Sequence, residues 1–216
     1  YYYDQLVLAQ VYENLLHFNA GNLSRFEPWL CENYTVGSWE HPTEGSCSAI
    51  NFTLIPNILW QDGTPLTAED VGFSFWFTIE CQSVNYMFVK DFDSYKTYDT
   101  DPTRDGNETI ELRFDVTSWL SLYWCGSVPI IPKHIWAPVT PSGSSVYIPE
   151  DHNTVFGCGP FRFYKDGVVG KVSRVPGEYL YLEANPIYFR KYIWPDVCGD
   201  PPLEPGEIDG DADLYD

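Results

Sequence analysis

The sequence predicts an α+β fold in which short strands, hairpins and turns outnumber long helices. Hydrophobic residues make up 44% of the 216 residues and charged residues 20%, a balance typical of a globular chain with a buried core. Aromatic residues make up 17%, and 16 glycines and 17 prolines supply frequent turns. Both alternating and helical hydrophobic patterns occur along the chain, which indicates a mixture of strands and a few helices.

The first part of the chain predicts a helix followed by a hairpin. Residues 5–18 place apolar side chains at roughly helical spacing and predict an opening helix. The segments 26–39 and 49–55 are aromatic and β-branched, and they flank a turn-rich stretch. This arrangement predicts an antiparallel hairpin.

A second helix is predicted over residues 68–81. Thr67 is a good N-cap, and Asp70 three residues later can complete a weak capping box. Val71 and Phe75 lie on one face of this helix, which predicts the face that packs on the core.

The remaining elements follow from alternation and from turn residues. Residues 108–116 alternate as a strand does, with Ile110, Leu112 and Phe114 on one side. Residues 91–107 are polar and turn-rich, and they predict a loop. Further predictions are a short helix at 118–125, a proline turn entering one helical turn at 129–136, a loop at 138–154, and strands at 157–167 and 177–185.

The charge balance excludes two classes of partner. Lys and Arg number 12 against 31 Asp and Glu, so the formal net charge is −19. A field of that sign repels phosphate backbones and anionic membrane surfaces. The sequence contains no apolar run of about 18 residues, so no transmembrane segment is predicted. The chain begins without Met or a leader and ends within an acidic segment, and we therefore expect it to be a processed or excised piece.

The cysteines and sequons favour an oxidising, extracellular or cell-surface location. None of the cysteines forms a Cys-x-x-Cys pair, and an even, dispersed set favours disulfides, although buried free thiols are the alternative. Their pairing is open among 15 connectivities, with Cys31–Cys47 the best local guess. The disulfide candidates are Cys31, Cys47, Cys81, Cys125, Cys158 and Cys198. The glycosylation candidates are Asn22, Asn33, Asn51 and Asn107, of which Asn51 is the weakest because its neighbours resemble a buried strand face.

The segment WQDGTPLTAEDV at 60–71 closely resembles a phrase of the extracellular solute-binding proteins of family 5. These proteins are the oligopeptide-, dipeptide- and nickel-binding components of ABC importers. In the family the phrase follows a Phe-Thr-Leu strand, which corresponds to residues 52–54 here. Ile55 stands where the family usually has Arg or Lys, and Cys158 replaces a small polar residue. Further family phrases occur in the same order at 11–16, 28–32, 131–136, 157–163 and 182–189.

The resemblance implies the first lobe of a type II periplasmic-binding-protein-like fold, of the peptide-binding class. Residues 1–192 would form the lobe, with a subdomain at 26–137. Residues 193–216 would form a Pro/Asp-rich linker or the start of a dockerin-like calcium segment. Only 27 residues follow Phe189, too few for a second lobe, so we expect weak ligand binding at most.

Two sets of residues are candidate sites. Tyr12, Glu13 and Asn14 lie in a region that approaches the ligand cleft in the family, so they are the ligand-binding candidates, with helix capping as the alternative. The acidic C-terminal segment presents alternating carboxylates, which suit Ca²⁺, although its spacing is shorter than a dockerin loop and a solvated acidic terminus is the alternative. These calcium candidates are Asp209, Asp211, Asp213 and Asp216. No other cofactor is expected.

Three functions are compatible with these observations. The first is a module that binds a small peptide-like solute and serves an ABC permease. The second is a structural subunit of an extracellular self-assembly, such as a surface layer, fibre or dockerin-linked complex, built from the same fold. The third is a carbohydrate-binding module that uses exposed aromatic rings. An enzyme is not expected, because the four histidines are scattered and none has a nucleophile partner in a recognised motif.

Overall fold

The computed structural model describes residues 2–19, 21–81, 85–99, 108–118, 120–126, 128–139, 156–163, 174–175 and 179–190. The helices are α1 (Tyr2–Val11), α2 (Ala68–Glu80), α3 (Tyr86–Val89), α4 (Leu120–Cys125) and α5 (Lys133–Trp136). The strands are β1 (Leu16–Asn19), β2 (Asn22–Pro28), β3 (Cys31–His41), β4 (Gly45–Leu54), β5 (Phe92–Tyr98), β6 (Thr109–Phe114), β7 (Phe161–Phe163), β8 (Arg174–Val175), β9 (Tyr179–Leu180) and β10 (Leu182–Ala184).

An antiparallel four-stranded sheet forms the body, with strand order β3-β4-β6-β5. In β6 the side chains of Ile110, Leu112 and Phe114 are at most 2% exposed, which confirms the predicted strand and its buried face. Opposite them on β4, Ile50 pairs with Leu112 and Phe52 with Ile110. One face of this sheet therefore carries the apolar side chains of the core.

Helix α2 packs on that apolar face, as its sequence predicts. Thr67 is the N-cap, and its backbone N–H donates to Oδ2 of Asp70 at 2.8 Å, which completes the predicted capping box. Val71 and Phe75 are fully buried against the sheet. None of the helices in the described part of the chain has the length and apolar character that crossing a bilayer takes.

The opening helix is shorter than the sequence predicts. It ends at Val11, and the chain then enters β1, which pairs antiparallel with β2. Leu15 and Leu16 are buried, but they reach the core from an extended segment rather than from a fourth helical turn. Their helical spacing from Val11 misled the prediction, because tertiary packing can bury the same residues from a strand.

The predicted hairpin is confirmed with different boundaries. Its strands are β3 and β4, whereas residues 26–28 belong to β2 and pair with β1. Residues 161–163 of the strand predicted at 157–167 form β7. The strand predicted at 177–185 is divided into β9, which pairs with β8, and β10, which pairs with β7. The predicted loop at 138–154 lies outside the described residues except for its first two, and the segment 193–216 lies outside them entirely.

Strand β5 stands where a loop was predicted, so that prediction is wrong for residues 92–98. Phe92 of β5 packs its ring against that of Phe75 on α2. Tyr95 and Thr97 also face the helix, and their hydroxyls donate to the carboxylate of Glu69 at 3.2 and 3.0 Å. A strand whose helix-facing positions include such polar groups is not marked by a hydrophobic pattern alone.

Gly72 brings α2 close to β5. A Cβ atom at this position would lie 2.4 Å from the ring of Tyr95, which is closer than real Cβ contacts. The helix has glycine here in spite of its poor helix propensity because the ring of Tyr95 occupies the space that a Cβ atom would take.

Replacement of Gly72 by alanine is expected to lower the free energy of unfolding by about 1–2 kcal/mol, because overpacking outweighs the gain in helix propensity. Urea unfolding followed by circular dichroism measures the change. Gly37→Ala is the matched control, because the nearest atom to its Cβ would be 4.0 Å away and the strand is exposed. Equal or greater stability of Gly72→Ala would contradict the close packing.

Candidate functional site

The carboxylate of Glu13 is buried and joins three distant parts of the chain. Glu13 is 3% exposed. Its Oε2 accepts a hydrogen bond of 2.7 Å from Nε1 of Trp29, and its Oε1 accepts one of 2.7 Å from the hydroxyl of Tyr188. Nε2 of His17 lies 3.3 Å from Oε2. A buried charge persists only when donors compensate it, so these partners account for its place in the interior.

The Trp29 indole is in contact with a histidine ring and an arginine guanidinium. The His17 ring lies 4.0 Å from the Trp29 ring at an interplanar angle of 12°, and the Arg190 guanidinium lies 4.0 Å from the ring centroid. Arg190 also donates to the carbonyls of Pro28 and Trp29 at 3.1 and 2.8 Å. The segment that ends at Arg190 is thereby fixed to the β2–β3 connection.

The charge of Glu13 affects the groups around it. Burial raises the pKa of Tyr188, and the negative charge of Glu13 raises it further. Burial and the same charge raise the pKa of the Cys158 thiol. Both groups therefore stay protonated near neutral pH, and Tyr188 remains a hydrogen-bond donor to Glu13.

The three ligand-binding candidates differ in accessibility. Tyr12 is 7% exposed, and burial raises the pKa of its hydroxyl. Glu13 has the partners described above, and its carbonyl accepts the N–H of Ile130 at 2.9 Å. Asn14 is half-buried. Of the three side chains, only that of Asn14 has an appreciable solvent-accessible part, and ligand contact by any of them stays a prediction.

The glycine phrase at 157–159 packs against the end of α1. A Cβ at Gly157 would lie 1.8 Å from the carbonyl oxygen of Val11, and one at Gly159 would lie 2.6 Å from that of Gln10. The N–H of Gly159 donates to Val11 O at 2.8 Å. The positive-φ glycines of the described residues are Gly45 and Gly63, so a left-handed backbone is not what requires glycine at 157 and 159. Close backbone approach is therefore the physical reason for both glycines.

Two buried amide side chains hold this phrase, and neither is among the functional residues that the sequence predicts. Gln61 is 7% exposed, accepts the N–H of Gly157 at 3.1 Å and donates to Phe161 O at 2.8 Å. Asn185 is 4% exposed and donates from Nδ2 to Gly159 O at 2.8 Å. The feature of the sequence that points to these two residues is their position within the family phrases, because Gln and Asn side chains are otherwise common on protein surfaces.

The proline turn at 131–136 is attached to the first two turns of α2. Oδ1 of Asp70 accepts the N–H of Lys133 at 2.8 Å, and Oγ of Ser74 accepts that of Ile131 at 2.9 Å. Nζ of Lys133 lies 3.0 Å from Glu69. Burial alone would raise the pKa of Glu69, but its hydrogen bonds from Lys133 and Thr97 outweigh burial and lower it. Asp70 thus accepts hydrogen bonds from the N-cap of α2 and from the proline turn, which explains why its carboxylate can be only 5% exposed.

Asp62, Thr64 and His134 come together on the surface, but they do not have the geometry of a catalytic triad. Nε2 of His134 lies 2.7 Å from Oδ2 of Asp62 and 3.3 Å from Oγ1 of Thr64. A triad needs the two ring nitrogens to serve the acid and the nucleophile separately. Here one nitrogen faces both, and Thr64 also donates to Asp62 at 2.7 Å. The group closes the Asp-Gly turn onto α5.

The Cys31–Cys47 pairing suggested by the sequence is wrong. Cys31 lies opposite Leu54 and Cys47 opposite Trp39, so eight residues of β3, or roughly 26 Å, separate the two positions. A disulfide requires Cα atoms within about 7 Å. Cys31, Cys47, Cys125 and Cys158 are buried free thiols, which corrects the disulfide expectation for these four. Cys81 is the C-cap of α2, and Cys198 lies outside the described residues.

The other candidates are distributed over the surface or lie outside the described residues. Asn33 is exposed on β3, Asn51 is half-buried on β4, and Asn22 begins β2. Within the described ranges no three His, Cys, Asp or Glu side chains form a group that could hold a metal ion. Candidates outside the described residues are Asn107, Asp209, Asp211, Asp213 and Asp216.

Replacement of Glu13 by glutamine is expected to lower the free energy of unfolding by about 2–3 kcal/mol. The amide NH₂ would leave either Trp29 Nε1 or the Tyr188 hydroxyl without an acceptor in a buried site. Urea unfolding measures the change, with Glu40→Gln as control because Glu40 is exposed on β3. Equal stability of the two variants would show that the hydrogen bonds to the Glu13 carboxylate do not stabilise the protein.

The four buried thiols are expected to resist alkylation in the native protein. Burial raises the pKa of Cys31 to about 11 and raises the pKa of Cys125 and Cys158 as well, so little thiolate forms at pH 8. Iodoacetamide followed by peptide mass spectrometry should label them only after unfolding in guanidinium chloride, without any reductant. Failure of unfolding alone to release them would restore the disulfide hypothesis.

Comparisons with known proteins agree with the resemblance in the sequence. The family model described as "Bacterial extracellular solute-binding proteins, family 5 Middle" matches residues 26–204. The "Probable peptide-binding protein YejA" of Agrobacterium fabrum is 27% identical over 188 residues, which cover 86% of this chain and 27% of that protein. The chain spans only 20–27% of the length of such curated relatives.

Solved structures show the same fold. A mannohexaose-bound periplasmic oligopeptide-binding protein of Thermotoga maritima matches with a TM-score of 0.53 and 27% identity, over 72% of this chain and 26% of that chain. The oligopeptide-binding protein AppA of Bacillus subtilis, in complex with a nonapeptide, matches with a TM-score of 0.60 and 20% identity, over 84% and 32%.

These matches confirm the predicted α+β, periplasmic-binding-protein-like fold. They also confirm the expectation of a non-enzyme, because the family and its structural neighbours are binding proteins of ABC transporters. The family match covers more than half of the residues. The chain therefore belongs to the bacterial extracellular solute-binding proteins of family 5.

Proposed function

We propose that this chain forms part of the extracellular solute-binding component of an ABC importer and that its solute is a peptide. The observation that carries the proposal is the family match over residues 26–204, supported by relatives and solved structures that are named as peptide-binding proteins. The protein would act outside the cytoplasmic membrane and deliver its solute to a membrane permease.

The contacts of the family phrases support a rigid binding body. Glu13 joins the first phrase to Trp29 and Tyr188, and Asp70 joins the Trp-x-Asp-Gly phrase to Lys133. A body held by buried hydrogen bonds can present a cleft wall in one conformation, and preorganisation of this kind lowers the entropic cost of binding. The net charge of −19 favours neutral or basic peptides over acidic ones through long-range attraction.

Calorimetric titration of the full-length gene product tests the proposal. Pools of peptides of three to nine residues, sorted by charge, are expected to give saturable heat, with basic pools binding more tightly at low salt. A folded protein that gives no heat with any peptide pool would overturn the proposal. Mannohexaose is the second arm, because one related structure carries it; heat with this sugar alone would assign an oligosaccharide as the solute.

The Asn14→Ala variant tests whether Asn14, the solvent-accessible ligand-binding candidate, contacts the peptide. It is expected to weaken peptide binding about tenfold, which is the loss of about 1.4 kcal/mol. Asn51→Ala is the matched control, because Asn51 is also half-buried but lies on the outer face of the four-stranded sheet. Equal affinities for the two variants would remove Asn14 from the site, while the peptide result for the parent protein would still decide the proposal itself.

A further inference from the structure

Two of the glycosylation candidates lie opposite each other on the β3–β4 hairpin. The register pairs Asn33 with Thr53 and Thr35 with Asn51. Each sequon therefore places its asparagine against the threonine of the other. Directly opposed residues share a face, so all four side chains lie on the outer face of the sheet, away from the buried side chain of Phe52.

The two sequons differ in exposure because their strands differ in position. Strand β3 is an edge strand of the sheet, and both Asn33 and Thr35 are exposed. Strand β4 is internal, with β3 on one side and β6 on the other. Asn51 pairs with Glu111 as well as with Thr35, and it is half-buried. The amide of Asn33 is therefore more open to solvent than that of Asn51.

The strand pairing is irregular beside Asn33. The register between β3 and β4 shifts between Cys31 and Asn33, so the ladder is interrupted at the residue that precedes the sequon asparagine. Irregularities of this kind redirect side chains and disrupt the ladder locally. An enzyme that must hold the asparagine amide and the hydroxyl two residues later thus finds both groups exposed on an edge strand, next to this interruption.

We propose that Asn33 is N-glycosylated and that Asn51 is not. In this reaction the amide nitrogen of Asn33 bonds to the anomeric carbon of a lipid-linked oligosaccharide. The bond from that carbon to the diphosphate oxygen breaks, the amide loses one proton, and the lipid diphosphate leaves. Thr35 supplies the hydroxyl that the sequon requires.

A glycan at this position would protect the edge of the sheet. Strand β3 has 11 residues, and Val36 on it is 57% exposed. A long edge strand with an exposed apolar side chain invites pairing with another chain, and proteins usually block such edges. Val36 pairs with the buried Ile50 and lies on the opposite face from Asn33, but a hydrated oligosaccharide on Asn33 would still occupy space beside the edge that a second strand needs. We therefore expect unglycosylated protein to self-associate more readily.

Peptide mass spectrometry of the protein isolated from its own organism tests this inference. The peptide that contains Asn33 should carry a glycan mass, and the peptide that contains Asn51 should not. An unmodified Asn33 peptide, or a glycan on Asn51, would overturn the proposal. This outcome does not depend on peptide binding, so it can fail or succeed independently of the proposed function.

Matched variants expressed in the same organism sharpen the test. Asn33→Gln and Thr35→Ala should each abolish the modification of the residue-33 peptide, whereas Thr35→Ser keeps a functional sequon and should retain it. Asn51→Gln should raise the intact mass by the one added CH₂ group alone, with the glycan mass retained. Loss of glycan mass in Asn51→Gln would contradict the assignment, even if Asn33→Gln failed to fold, because the wild-type peptides already locate the glycan.

Discussion

The burial of one carboxylate is the constraint on which much of this structure depends. Glu13 is 3% exposed, and an ionised carboxylate in such a place is tolerated only when several donors compensate it. The donors come from Trp29, 16 residues away, and from Tyr188, 175 residues away. The first and last parts of the described chain must therefore meet at this point. Arg190 reinforces the same junction through its stack on Trp29 and its bonds to two carbonyls.

The same logic explains why the family phrases contact one another. The glycines at 157 and 159 allow the backbone of α1 to approach closely. The buried side-chain amides of Gln61 and Asn185 form hydrogen bonds with backbone groups of these two glycines. Asp70 caps α2 and also receives the N–H of Lys133. Phrases that are distant in sequence are thus parts of one hydrogen-bonded framework, and each supplies a buried group that another must satisfy.

Local patterns predicted the elements whose stability comes from local causes. Helix α2 begins with its own cap, and the alternation of Ile110, Leu112 and Phe114 marks β6 unambiguously. The errors occurred where long-range contacts override local pattern. Leu15 and Leu16 reach the core from outside a helix, and two of the β5 residues that face α2 bind Glu69 through hydroxyls. For the candidate site, the sequence named Tyr12, Glu13 and Asn14 as ligand-binding candidates, which stays a prediction, and it did not predict that the first two would be buried.

The sequence by itself determined the fold class, the family and the main helix, because capping, periodicity and phrase order are properties of short segments. Only the tertiary structure decided which polar groups are buried, which cysteines are too far apart to pair, and which of two sequons faces open solvent on an edge strand. The physical reason is that burial and distance are set by strand register and by contacts between residues many positions apart. A pattern confined to neighbouring residues carries no information about either.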